Sequence, residues 1–296
     1  VLSRPQVAWK LLEELRMHAP HCLIGYDTVD LHFLRLQRQA ELAASTGDAP
    51  VASALAGKAV ASRELELGLV RAADLTIVVS EYEQRLLRSL VPEADVRVLS
   101  NVHQIARDVP GPQGRAGLLF VGSFDHLPNR DAVRWMVHEV LPLVHRHHPK
   151  AVLHVVGSNP SPDVLELASE TVEVHGWVAD LLPLHQQCRL SVAPLRFGAG
   201  VKGKVGESMA AGLPTVCTPV AAEGMGLVDG QHVLVAADAA GFAEQVVALL
   251  DSDDLWCTLS GAGASAVIDR FGPQVARAAL QDMLDTAAKS LPSPSA

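Results

Sequence analysis

The sequence predicts an α/β fold of parallel sheets covered by helices, and three observations carry that prediction. From residue 117 onward, short apolar runs alternate with segments of helical period, the pattern of successive strand–helix units. Hydrophobic residues make up 49% of the 296 residues and charged ones 19%, ample for a sizeable core and too apolar for disorder. Between the halves, 107–115 collects Pro110, Gly111, Pro112 and Gly114, the composition of a linker. The expected divisions are a first lobe over 1–106, a linker over 107–116, a second lobe over 117–270 and a closing segment over 271–296.

In chain order, Val7, Leu11, Leu12 and Leu15 share one face of a helix over 6–18. A short strand over 22–26 leads into DTVDLHF, and 41–50 reads as a loop by composition. A long helix over 55–73 precedes a buried strand over 75–79. Ser80 caps a helix over 81–90, with Glu83 in the capping-box position. A strand over 96–99 ends the first lobe at Asn101.

The second lobe alternates more regularly. Strands are predicted over 117–121, 151–156, 172–174 and 190–193, with helices over 130–147, 162–169 and 180–187 between them. A helix over 203–211, strands over 214–217 and 232–235, and a helix over 239–251 follow. Helices over 253–269 and 274–287 close the chain, and the tail from Ser290 reads as disordered. No repeat of solenoid length is present.

Charge and cysteines narrow the function. Acidic residues outnumber basic ones, 33 to 24, for a net charge of −9, which argues against nucleic acid as a partner. That balance still allows a local basic patch and peripheral contact with a membrane. No apolar run approaches the roughly 18 residues a bilayer-spanning helix needs. Cys22, Cys188, Cys217 and Cys257 form no C-x-x-C pair, which suits a reducing cytoplasm, and they read as core thiols. No signal segment opens the chain at Val1. The expected location is cytoplasmic, with the cytoplasmic membrane face as a site of contact.

The chemistry concentrates at 190–218, LSVAPLRFGAGVKGKVGESMAAGLPTVCT. An apolar strand runs into a turn containing Gly198, Gly200 and Gly203, which lets the backbone approach a ligand closely. The following helix aims free N–H groups and its positive dipole end at the same spot. Lys202 and Lys204 add charge there, forming a cradle for a phosphate or diphosphate. Basic residues are disfavoured at that helix end unless an anion offsets them. Glu207, nearly one turn on, shares a face with Lys204 and can accept hydrogen bonds from hydroxyls. A cation for a diphosphate beside an acid for sugar hydroxyls points to a nucleotide-type ligand.

Two other patterns overlay the loop. Gly198-x-Gly200-x-x-Gly203 fits the dinucleotide fingerprint, with Glu223 near the ribose-acid distance, but that fingerprint normally opens the first unit of its domain. Gly198 to Lys204 also reads as G-x-x-x-x-G-K. Val205, however, stands where a P-loop needs Ser or Thr for magnesium. No persuasive metal geometry is read from the histidines, His145, His147 and His148 included, so no metal site is expected.

A third pattern takes in nearly the whole chain from Tyr26 on. FVGSFDHLPNRDA at 120–132, VVGSNP at 155–160, VHGWVAD at 174–180, the glycine-rich loop and AAEGMGLVDG at 221–230 occur in that order. Together they resemble the donor-binding half of the family 4 glycosyltransferases, the retaining enzymes also called glycosyl transferases group 1. The resemblance implies a GT-B fold: two Rossmann-like lobes with parallel sheets, here with a partial, acceptor-side first lobe. It implies transfer of a hexose-type sugar from a nucleotide diphosphate sugar, of UDP or GDP type, to a glycan or lipid-linked acceptor. Neither cofactor nor metal is implied, because cationic side chains and helix ends stabilise the diphosphate. The last helix, 274–287, is expected to return to the first lobe.

The resemblance assigns roles and exposes departures. Lys204 matches the lysine that meets the donor diphosphate, and Glu207 the glutamate that holds the ribose. Asp30 and His32 fall where groups face the acceptor and the sugar; these four are the catalytic candidates. Donor binding falls to Gly122, Ser123, Arg130, Gly198, Ala199, Gly200, Val201, Lys202 and Glu223, with Lys204 and Glu207. A glutamate expected eight residues before Glu207 is replaced by Ala199, leaving sugar contacts to the backbone of 198–201. Ser123 replaces an arginine, and Arg130 lies only near an expected lysine. The glycine-rich unit that should open the first lobe is missing, so a further N-terminal segment or a partner chain is expected. The alternative reading is a nucleotide-sugar-binding protein or subunit not competent for transfer alone.

Overall fold

The computed structural model describes residues 1–104, 106 and 109–290, which fall into two compact units. Unit 1 comprises Val1–Val102, Phe197–Val201 and the segment from Pro273; unit 2 comprises His103–Arg196 and Lys202–Gly272. The five residues at the centre of the glycine-rich loop thus belong with unit 1, and their neighbours on both sides with unit 2.

Unit 1 holds strands β1 (Leu2–Ser3), β2 (Gly25–Asp27), β3 (Leu75–Val78) and β4 (Val96–Val98). They form a parallel sheet in that order, joined through helices α1 (Pro5–His18), α2 (His32–Ser45), α3 (Ala49–Ala72) and α4 (Glu81–Leu90). Tyr26, Leu31, Leu69, Val78, Leu87 and Val96 lie in its core. The sequence reading differs most at α2, whose last residues occupy the start of the expected loop over 41–50. Asp48 then starts α3 early by accepting from the Val51 amide at 3.2 Å. Pro50 sits in the first helical turn, where its missing N–H costs nothing, so it begins a helix instead of breaking one.

Ser80 caps α4 as expected, accepting from the Glu83 amide at 3.2 Å. The Glu83 carboxylate accepts from the amides of Val79 at 3.3 Å and Leu31 at 3.4 Å, tying the ends of two loops together.

Unit 2 contains β5 (Leu118–Val121), β6 (Leu153–Val156), β7 (Val172–Gly176), β8 (Leu190–Ala193), β9 (Thr215–Cys217) and β10 (Leu234–Val235). Its helices are α5 (Leu127–Trp135), α6 (Leu141–Val144), α7 (Pro162–Leu165), α8 (Leu182–Gln187), α9 (Gly203–Ala210), α10 (Pro219–Ala222), α11 (Ala239–Asp251) and α12 (Asp253–Phe271). All strand pairs are parallel, in the order β10-β9-β8-β5-β6-β7. The chain starts at β5, moves one way to β6 and β7, then returns to β8 on the other side of β5. In open α/β sheets ligands bind at the carboxyl ends of the strands where the order reverses. Here that point lies between β5 and β8, which places Gly122 and the start of α9 at the site.

The helix predicted over 130–147 is interrupted by a π-helical turn, Met136–Val140, between α5 and α6. The Leu141 amide reaches back five residues to Met136, just before Pro142, which has no N–H to continue an α-helical ladder. The segment read as a linker is anchored at its end. Buried Arg115 donates to the carbonyls of Pro110, Gly111, His185 and Cys188 and lies 5.0 Å from the centre of the Trp256 ring. Arg107 and Asp108 of that segment, and the tail after Ser290, lie outside the described residues.

A final helix, α13 (Pro273–Ser290), is grouped with unit 1, where Asp282 accepts from Arg97 at 2.8 Å. Only two of the four thiols expected in the core are there: Cys188 and Cys217 are buried, while Cys22 and Cys257 are exposed. Burial pushes the Cys188 and Cys217 thiols up to about 12. Among the described residues, no helix is long and apolar enough to cross a membrane.

Candidate active site

The site in unit 2 is built from two strand ends. β5 delivers Gly122 and Ser123 and then turns into α5; β8 leads, by way of Arg196 and the loop, to Lys202 and α9. Two side-chain links join α5 to the loop flanks. Asp131 pairs with Arg196 through two contacts, one at 2.9 Å, and the Asn129 amide oxygen accepts from the Lys204 ammonium. Asn129 in turn donates to the Ser123 carbonyl at 2.7 Å, so the chain Lys204, Asn129, Ser123 is continuous.

Lys204 is the centre of this arrangement. Its Nζ lies 4.7 Å from the centre of the Phe120 ring and directly over the backbone of Gly122. A Cβ on Gly122 would stand 2.6 Å from that ammonium and 2.7 Å from Asn129 Cγ, so both side chains would have to shift to admit one. Among the described residues no carboxylate pairs with Lys204; a neutral amide and a ring face are what it has. Burial, and to a lesser degree the charge of Lys202, push the Lys204 ammonium down to about 7. An ammonium held this way gains most from an anion brought against it.

The other predicted donor residues take varied places. Glu207 lies in the middle of α9 with its outer part open to solvent, and partial burial of its carboxyl raises that group above the usual range. Lys202 is buried and occupies the N-cap position of α9. The Ser123 hydroxyl donates to Asp125 at 3.2 Å and accepts from Ser158 at 3.0 Å. Arg130 is turned to its own loop, its Nε donating to the Phe124 carbonyl. Glu223 follows α10, half-buried.

Asp30 and His32 belong to unit 1. Asp30 pairs with Arg35, and His32 Nε2 lies 3.2 Å from its other oxygen. The amides of His32 and Phe33, at the start of α2, donate at 2.9 and 2.8 Å to Glu66. Burial raises the Glu66 carboxyl, and those amides counter the rise. The loop residues Gly198, Ala199, Gly200 and Val201 join this group. Arg38 donates to the Gly198 carbonyl at 2.8 Å, Ala199 packs in the unit 1 core, and Gly200 takes φ +70° with Asp30 against it. Asp27, at the end of β2, accepts from the Val29 amide at 3.0 Å.

Three residues that reading the sequence missed bear on these groups: Asn129, Arg38 and Arg196. Each acts across a long separation, 75 residues for Asn129 to Lys204 and 160 for Arg38 to Gly198, and no local pattern marks them. The metal reading also needs an addition. His154, Glu173 and His175 bring one ligand atom each within 4.8 Å of the others, on strands whose pairing the sequence left open.

A sequence pattern and a geometry now converge on unit 2. Residues 115–252 match the family model of glycosyl transferases group 1. The matched group 1 region contains Gly122, Asn129, Lys204, Glu207 and Glu223. Solved structures share the fold at low identity. Sucrose-phosphate synthase from Thermosynechococcus elongatus aligns with a TM-score of 0.75 at 18% identity, over 97% of this chain and 73% of its own. Anabaena HepE, in complex with UDP and glucose, aligns with a TM-score of 0.69 at 13% identity, over 97% and 76%. A variant of S. aureus TarM, in complex with fondaparinux, alpha-GlcNAc-glycerol and UDP, gives 0.63 at 13%, over 76% and 46%. The chain therefore spans under half the length of TarM. No curated protein matches it in sequence. The fold is of GT-B type, α/β with two Rossmann-like units built on parallel sheets.

Proposed function

We propose that this protein is a glycosyltransferase that moves a hexose-type sugar from a UDP or GDP sugar to a glycan or lipid-linked acceptor, with retention of configuration. The observation that carries the reading is Lys204: a half-buried, desolvated ammonium with no paired carboxylate among the described residues, at the reversal of strand order. The match of residues 115–252 to glycosyl transferases group 1 supports it, as does the fold shared with HepE, whose structure holds UDP and glucose.

In this reading the bond from the sugar's anomeric carbon to the diphosphate breaks, one from that carbon to an acceptor hydroxyl oxygen forms, and the hydroxyl proton passes to the departing diphosphate. Negative charge grows on the departing diphosphate. Lys204 and the amides at the start of α9 meet that charge without reorganising, which is where electrostatic catalysis acts most strongly. Gly122 admits the phosphate-facing ammonium, and Asn129 holds it in place. Glu207 anchors the ribose hydroxyls. Asp30, oriented by Arg35 and His32, is the carboxylate assigned to the acceptor side. No metal is given a role in transfer.

The test is release of UDP or GDP from a panel of nucleotide sugars on addition of glycan or lipid-linked acceptors, with the product's anomeric configuration read by NMR. Acceptor-dependent release is expected, with configuration retained. Tight nucleotide binding without release from any donor would instead favour a binding subunit.

A further inference from the structure

We infer that His154, Glu173 and His175 form a binding site for one divalent transition-metal ion of the zinc class. The register of unit 2 sets His154 of β6 directly opposite Glu173 of β7. His175 is skipped in the pairing, between Val174 and Gly176, at a bulge in the register, and its ring still meets Glu173, Nε2 lying 3.6 Å from Glu173 Oε2. Three side chains from two neighbouring strands therefore converge without any loop having to fold over them.

The donor atoms have the spacing a metal requires. His154 Nδ1 lies 3.1 Å from His175 Nε2 and 3.3 Å from Glu173 Oε2, and those last two atoms are 3.6 Å apart. One atom from each residue makes the triangle. A tetrahedral zinc ion with ligands near 2.0–2.1 Å has an edge of about 3.3 Å between donors. The triangle has the size of one face of that tetrahedron, which leaves a fourth position open.

Chemistry and burial agree with the geometry. Two imidazoles and one carboxylate are a common zinc donor set with an open position. The rings are stacked, 5.3 Å between centres and 28° between planes, and His154 is fixed from behind. Gly117, at φ +85°, leaves room for it: a Cβ there would stand 3.0 Å from His154 Nε2. The His154 side chain is 8% exposed, while His175 at 29% and Glu173 at 53% leave the ion a way in. In the absence of metal, one shared proton must do the same work between two imidazole nitrogens. His154 is in register with Leu119, three residues and about 10 Å along the strand from Gly122, so the ion stands apart from Lys204. Its effect is to tie β6 to β7 at the sheet edge.

The test uses the full chain freed of metal by chelation and titrated with Zn²⁺ against a chromophoric competitor. Co²⁺ serves as a second probe, read by visible absorption. One equivalent of Zn²⁺ is expected to bind and to raise the melting temperature. His175→Ala and Glu173→Gln, both at accessible positions, should each weaken binding about tenfold or more. His147→Ala, in the separate histidine cluster, should not. A wild-type chain that takes up no saturable equivalent overturns the inference. So does unchanged affinity in both β7 variants, or a loss through His147→Ala, because either would place the ion elsewhere.

Discussion

The Lys204 ammonium occupies the space that a side chain on Gly122 would need, 2.6 Å from the position of its Cβ. The glycine after β5 and the lysine in the first turn of α9 are therefore one feature, not two. A bare backbone at the first strand end lets the cation from the second lie across the point where strand order reverses.

Gly122→Ala should separate the two. The added methyl meets Lys204 Nζ, and Asn129 Cγ at 2.7 Å, so the ammonium must leave its place. Overpacking of this kind costs about 1–3 kcal/mol. The variant should melt lower but still fold, and its affinity for UDP or GDP should fall about tenfold. Thermal melting and calorimetry on the same preparation check both effects. Wild-type affinity would mean that the ammonium's placement over Gly122 is immaterial.

The lowered pKa of Lys204 carries a pH signature. In the unfolded chain the lysine titrates near its ordinary 10.5, and in the folded protein near 7. Between those values the unfolded state holds the extra proton, so this group makes stability rise with pH. Below about 7 the cost of burying the charge is fully present. Lys204→Met should therefore be more stable than wild type at pH 6, with the gap closing by pH 9.5. Melting curves without nucleotide at both pH values decide this, and a gap that widens with pH would contradict the assignment.

Lys204→Ala should lower the rate of sugar transfer far more than it disturbs folding, and Lys202→Ala should hurt less. The first meets charge that develops only as the diphosphate departs; such contacts typically contribute about 2.7–4 kcal/mol. Loss of turnover in Lys202→Ala alone would assign the diphosphate to the other lysine.

Much of this site was legible in the sequence, for reasons that also mark the limit. Lys204 and Glu207 lie nearly one turn apart on α9, so helix geometry alone put them on one face, whereas no local pattern marked the grouping of Gly198–Val201 with unit 1. Asn129 did not declare itself because its partner is 75 residues away, and beside it Arg130 looked the better cation. That arginine proves to be tied to Phe124. In the fold, strand–helix alternation was clear from periodicity. Helix α2 and the early start of α3 were lost because Gly47, Asp48 and Pro50 signal a loop and a helix start alike. The pairing of His154 with Glu173 depends on strand register, which local pattern does not supply.

Chelation by EDTA should leave transfer nearly unchanged, because lysine charge takes the place a cation fills elsewhere. Assays with and without the chelator check it. Complete loss of activity, restored by magnesium, would show that the cradle works through a metal.

The role of Lys204 and Glu207 in holding a nucleoside diphosphate is tested by calorimetric titration with UDP and GDP. Wild type should bind at least one of them at a single site. Glu207→Ala should weaken that binding by about 1.5–3 kcal/mol, the loss of charge-assisted hydrogen bonds to the ribose. Lys204→Ala should weaken it as well, and the effect should grow as the pH is lowered from 8.5 to 6.5 and more of the wild-type lysine is charged. Binding of neither nucleotide by wild type, or equal affinity in wild type and both variants, would show that these two residues do not form a nucleotide site.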